Sequence, residues 1–114
     1  MSALDIQIGG SHYKSKDIQP IEFLWKHGDT MDVCQKNMFK YVSRYPDKNG
    51  IKDLRKVVHY NELRRELFIQ PPRFDFEEYF MQFSEADAGV LRLIFAGRTS
   101  EAAELVQGWL RDSQ

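Results

Sequence analysis

The stretch MDVCQKNMFKYVSRYPDKNGIKDLRKVVHYNELRRELF, Met31 to Phe68, decides the fold. In its first part Cys34, Met38, Tyr41, Val42 and Tyr45 recur at steps of three and four, the spacing that gathers side chains on one face of an α-helix. This predicts a helix over Met31 to Tyr45. Pro46 ends it, because proline has no N–H to donate. Asp47-Lys48-Asn49-Gly50 is turn chemistry: Asn and Gly accept backbone angles that other residues avoid. A second helical pattern then runs from Ile51 to about Phe68, with Leu54, Val57, Val58, Leu63 and Leu67 expected inward. Two helices joined by so short a loop form an antiparallel hairpin.

Upstream, Pro20 suits the first turn of a short helix ending at His27, with Gly28 as its stop and Asp29 or Thr30 as cap for the helix that follows. Before it, Leu4, Ile6 and Ile8 alternate as a short strand or an ordered arm would, and Gly9-Gly10-Ser11 makes a turn. Downstream, Gln70-Pro71-Pro72 interrupts the pattern. A helix over Phe74 to Phe83 is expected, then one capped by Ser84 with Asp87 three positions on, carrying Val90, Leu91, Ile94 and Phe95 and ending at Gly97. Thr99 or Ser100 starts the last helix, whose inner face is read as Ala102, Leu105, Val106, Trp109 and Leu110. The expected fold is mainly α: a small helical domain with a central hairpin, a short N-terminal extended arm and a C-terminal helical appendage. Residues 1–70 form the main domain, and residues 71–114 an extension on the same core.

Composition narrows the function. Sixteen basic residues against seventeen acidic ones give a formal charge of −1, which argues against a nucleic-acid-coating protein, and no sequence-specific nucleic-acid partner is expected. Basic side chains nevertheless gather between Lys36 and Arg65, while Asp75 to Asp87 is acidic. A single cysteine, Cys34, excludes an internal disulfide and reads as a buried thiol. His12, His27 and His59 are too scattered for a metal site, so no intrinsic metal or cofactor is expected. Without an apolar run of about 18 residues, no membrane association is expected and the chain should stay in the cytoplasm. A chain this short has a modest core, and self-association into a homo-oligomer would help it.

Three constellations could carry chemistry. Gly9-Gly10-Ser11-His12-Tyr13-Lys14 offers backbone N–H groups with His12 and Lys14 as further donors, suited to phosphate, or else a plain turn anchored by Tyr13. It is neither a Walker A loop nor a dinucleotide fingerprint. On the second helix Asn37, Lys40 and Arg44 project at helical spacing beside Tyr41, as an anion site or as a solvated basic face. On the third, Asp53, Lys56, Tyr60 and Arg64 form a polar stripe, with His59 on a neighbouring one as a general acid or base or a structural histidine. Asp53 with Lys56 also reads as a simple surface pair.

Taken in order, Gly9 to Lys14, Ile18-Gln19-Pro20-Ile21-Glu22-Phe23, Asn37, Lys40-Tyr41-Val42, Arg44-Tyr45, Asp47 to Leu54 and His59-Tyr60 resemble the SaV-like family of small bacteriophage proteins over roughly residues 8 to 66. That family includes a podophage nucleotide kinase acting on deoxynucleoside monophosphates, and another member is linked to sensitivity to a bacterial abortive-infection system. The resemblance implies a nucleotide-binding phage protein of the host cytoplasm. It would be either a nucleoside monophosphate kinase using ATP with Mg²⁺ as substrate, or a non-enzymatic protein that inhibits or sequesters a host defence protein or nucleotide signal. His12, Tyr13, Lys14, Asn37, Lys40, Tyr41, Arg44, Lys48 and Lys56 would bind the nucleotide or nucleotide-derived molecule, and Asp53 or His59 would orient the acceptor. All of this requires the His12 segment to lie beside Lys40, Arg44 and Lys56. In the second section Phe74, Phe76, Tyr79 and Phe80 are read either as buried against the hairpin or as an exposed interaction surface.

Overall fold

The structure is a computed structural model that describes residues 3, 17–47 and 50–114. Among these it is mainly α, with six α-helices and no strand. The expected N-terminal arm, the segment Gly9 to Lys14 and Lys48 lie outside the described residues. The chain divides into two compact units, Met1–Pro71 and Pro72–Gln114.

In the first unit α1 spans Pro20–His27, with Pro20 in its first turn and Gly28 as its C-cap. A single 3₁₀ turn, Gly28–Thr30, leads to α2, Val33–Arg44. The cap of α2 is therefore Asp32 rather than Asp29 or Thr30: its side chain accepts from the Gln35 N–H while the Gln35 side chain accepts from the Asp32 N–H, both at 2.9 Å. This reciprocal pair satisfies two donors that a helix start leaves unpaired. Phe23 of α1 stacks on Phe39 of α2, ring centroids 4.9 Å apart. After a second 3₁₀ turn, Tyr45–Asp47, α3 runs Ile51–Ile69 and packs along α2, completing the hairpin. Gly50 precedes it at φ +39°, a conformation that suits glycine.

The faces of the hairpin differ from the periodicity reading. Cys34 is buried as expected, but Val42 and Tyr45 are exposed, as are Leu54, Val58 and Leu67 of α3. The side chain of α3 that enters the interior is Asp53, with no exposed surface at all. The apolar residues of α3 are spread around its circumference, so a buried ion pair selects the inner face.

In the second unit α4 is Phe76–Phe80, shorter than the Phe74 to Phe83 reading. It is followed by α5, Glu85–Phe95, and α6, Thr99–Asp112. Phe80, Ala88, Val90 and Ala102 are buried, and the small side chains allow α5 and α6 to approach closely. Leu105, Trp109 and Leu110 keep substantial exposure, against expectation. Ser84 caps α5 by accepting from the Asp87 N–H. At its other end the Arg98 and Gly97 N–H groups donate to the Leu93 and Ile94 carbonyls with Gly97 at φ +82°, a Schellman ending. Arg92 of α5 donates to both carboxylate oxygens of Glu77 in α4 and lies 4.4 Å over the Phe80 ring. No described helix is long and apolar enough to cross a membrane.

Candidate functional site

The hairpin converges on Tyr41. Lys40 Nζ lies 4.7 Å, Arg44 Cζ 4.8 Å and Lys56 Nζ 4.7 Å from its ring centroid. The spacing of Lys40 and Arg44 brings both from α2, and the antiparallel pairing brings Lys56 from α3. Cations gather at a phenol ring because its faces are electron-rich. Tyr60 of α3 stacks on the same ring at 6.0 Å and 19°, a contribution the sequence reading left out of the site although Tyr60 stood in the polar stripe.

Asp53 is the counterweight. The Arg44 guanidinium donates through Nε and Nη2 to its two oxygens, each at 3.1 Å, and Lys56 Nζ stands 3.8 Å away. The carboxylate is fully buried and Arg44 nearly so, at 15% side-chain exposure, so Asp53 is no surface partner of Lys56. A guanidinium fork matched to a carboxylate is the geometry in which a buried pair is held. Among the described residues, three cations against one carboxylate give the cluster a formal surplus of two positive charges, with Lys56 at 43% side-chain exposure.

The other candidates fall around this cluster. Asn37, one turn earlier on α2, donates its side-chain amide back to the Val33 carbonyl at 2.9 Å. His59 is exposed on α3, three residues past Lys56, and its ring is 6.2 Å from that of its neighbour Tyr60. His12, Tyr13, Lys14 and Lys48 lie outside the described residues.

A second polar junction crosses the hairpin where α2 begins. Arg64 of α3 donates through Nε to Asp32 at 2.7 Å and covers the Phe68 ring at 4.8 Å. The Gln35 N–H and then Arg64 hold the Asp32 carboxyl below its ordinary value. Asp32, Val33, Cys34, Arg64, Leu67 and Phe68 line a small concavity of about 150 Å³. The sequence signal for this junction was the pair Asp32 and Gln35, three residues apart ahead of a helical pattern.

The central helices also carry the chain's similarity to other proteins. Residues 9–62 match the DUF3310 family. DUF3310 is described as a protein of unknown function, and the match covers just under half of the chain. It runs through α1 and α2 into α3 and includes every member of the Tyr41 cluster, whereas the second unit lies outside it. The segment is thus similar to an uncharacterised small domain family. Neither curated proteins nor solved structures give a match.

Proposed function

We propose that this protein binds a nucleotide or nucleotide-derived anion, with Lys40 and Lys56 as its principal phosphate donors. The observation that carries the reading is the gathering of Lys40, Arg44 and Lys56 around one tyrosine ring with Asp53 as the opposing carboxylate. Arg44 is engaged by Asp53 and holds the ring and the hairpin in register; the two lysines retain donors for a ligand. Phosphate is the anion such a pair fits, because an ammonium group carries three N–H donors and full charge. The resemblance of residues 8 to 66 to the SaV-like phage family supports a nucleotide as the source of that phosphate, within the cytoplasm of a bacterial host.

Turnover is the further step that the resemblance implies: phosphoryl transfer to a nucleoside monophosphate from ATP with Mg²⁺. Such a reaction needs charge neutralisation and alignment more than covalent chemistry. Of the two residues suggested for the acceptor, His59 is the accessible one, and Asp53 spends both oxygens on Arg44. The arrangement therefore supports binding more strongly than catalysis.

Calorimetry and thermal shift of the full chain against nucleoside mono-, di- and triphosphates and inorganic pyrophosphate test the reading. A ligand at a hundredfold excess over its Kd raises stability by about 2.7 kcal/mol. Lys40→Ala and Lys56→Ala should each weaken binding and reduce its salt dependence. If the native chain responds to none of these anions, the proposal is wrong. Product analysis after incubation with ATP, Mg²⁺ and monophosphates distinguishes a kinase from a binder.

The second unit favours one other reading, a non-enzymatic phage protein that inhibits or sequesters a component of a bacterial defence system. Phe80 is buried, but Phe74, Phe76 and Tyr79 are exposed at 58%, 52% and 45%. Exposed aromatic groups of this kind anchor protein interfaces.

A further inference from the structure

The second unit carries eight carboxylates against four arginines, a formal −4, opposite in sign to the surplus on the hairpin. Its first helix already shows how this surface treats a cation. Glu77 and Phe80, one turn apart on α4, hold Arg92 between a carboxylate and a ring: Nη1 donates to Glu77 at 2.9 Å, and the guanidinium lies 4.4 Å over Phe80. Charge and ring quadrupole act together on one group.

Beside it, α4 and the residues flanking it repeat these elements, and no cation is among the described residues that line the concavity. Phe74, Glu78, Tyr79 and Gln82 line an open concavity of about 470 Å³, within the usual size of a small-ligand site. Phe74 precedes the N-cap Asp75 and Tyr79 is the fourth residue of the helix, the two positions whose side chains meet across a helix start. Glu78 occupies the position from which an acidic side chain commonly turns back to the N-cap amide. Here neither Glu78 nor Asp75 makes a side-chain cap, and among the described residues no ion pair or hydrogen bond engages the Glu78 carboxylate. Gln82 donates one side-chain N–H to the Tyr79 carbonyl at 3.0 Å, and its side-chain oxygen is a further acceptor. Two aromatic residues, a glutamate and a glutamine therefore border one concavity, and the Tyr79 ring is held there by Phe80 and Phe83 at 5.6 and 5.3 Å.

We propose that this concavity is a binding site for an organic cation, the class that comprises the guanidinium or ammonium of a partner's side chain and small alkylammonium ligands. Glu78 supplies the charge, and Phe74 and Tyr79 supply the faces. The site is independent of the nucleotide reading; either stands if the other fails.

The test is a titration of the isotopically labelled full chain, followed by amide chemical shifts. Probes are tetramethylammonium, blocked arginine and a short arginine- and lysine-containing peptide, with tert-butanol and blocked citrulline as uncharged counterparts. Saturable shifts confined to residues 74–82 are expected from the cations and not from the neutral molecules. Glu78→Gln and Tyr79→Leu should each weaken binding about threefold, whereas Lys40→Ala should leave it unchanged. Tighter binding of the peptide than of tetramethylammonium identifies a protein partner as the source, and the reverse order identifies a small ammonium; both agree with the proposal. Equal response to charged and uncharged probes, shifts elsewhere only, or an unaltered affinity in Glu78→Gln overturns it. Should Tyr79→Leu lose spectral dispersion, Glu78→Gln decides alone, since that side chain is solvent-facing.

Discussion

Removing either partner of the Arg44–Asp53 pair should destabilise the hairpin far more than removing both. At an effective dielectric of about 20, opposite charges about 4 Å apart attract by about 4 kcal/mol, and the fork geometry at 3.1 Å adds directional hydrogen bonds. Taking two ions from water offsets most of that gain, so the net worth of the pair is small. A single substitution forfeits the attraction and keeps one desolvation cost. Arg44→Ala takes the forked donor from a carboxylate with no exposed surface, which among the described residues Lys56 still faces at 3.8 Å; the expected loss is about 4 kcal/mol. Asp53→Ala leaves a guanidinium that already touches solvent at 15% exposure and can tilt outward, so about 3 kcal/mol is expected. Arg44→Met with Asp53→Leu replaces both charges by apolar volume and should return to within about 1 kcal/mol of the native chain. Hydrogen-exchange mass spectrometry on peptides of α2 and α3 reads the hairpin apart from the second unit, and urea unfolding supplies the energies. A double variant that loses as much as the two single variants together would show that buried charge does not govern this interface, and an Asp53→Ala loss below about 1 kcal/mol would show the same.

Asp32 gives the start of α2 an acid dependence. The Gln35 N–H and Arg64 lower its folded pKa, so its contribution is complete above the ordinary value of 3.8 and disappears as pH falls through the depressed one. Amide exchange at Cys34 and Gln35 should accelerate in that acid range, and Asp32→Asn should remove most of the pH dependence. Gly97→Ala forces a side chain into φ +82° with open space around it, so strain alone acts; a loss of about 1 kcal/mol in thermal unfolding is expected. Ile51, Leu54 and Val58 form an exposed apolar stripe on α3. A homo-oligomer is expected to use it, and Val58→Glu should then lower the mass found by light scattering; a monomeric native chain would end that expectation.

Helix positions were largely legible in the sequence because their punctuation is local. Pro20, Gly28, Pro46, Ser84 and Gly97 act through the geometry of their own backbone or side chain, and each marks a boundary that the structure shows within a residue or two. The cap of α2 was misread for a different reason. Asp29 and Thr30 are as good capping residues as Asp32 in isolation, and only the reciprocal partner, Gln35, singles out the last of the three. The extra residues between Gly28 and the cap are taken up by a 3₁₀ turn, which leaves no hydrophobic period to detect.

The inner face of α3 was harder to read, and the difficulty bears on the candidate site. A search for burial by hydrophobic period ranks Leu54 and Val58 as core and Asp53 as surface, the reverse of what the hairpin does. The period fails because Arg44, on another helix and nine positions earlier, makes burial of a carboxylate tolerable; no window confined to α3 contains that information. Lys40, Arg44 and Lys56 were nonetheless legible as cations of one site, since side-chain spacing on α2 and the short loop fix where they can meet. What the sequence hid was the division of labour among them. Asp53 takes both fork donors of Arg44 and only a longer contact at 3.8 Å from Lys56, so the group with the best fork for phosphate serves the fold, and the flexible point charges keep donors for a ligand. A hairpin built in this way couples its stability to its charge: any change that frees Arg44 for an anion must also strip Asp53 of its main partner. Substitutions at these two positions should therefore alter folding before they alter binding, while substitutions at Lys40 and Lys56 should do the opposite.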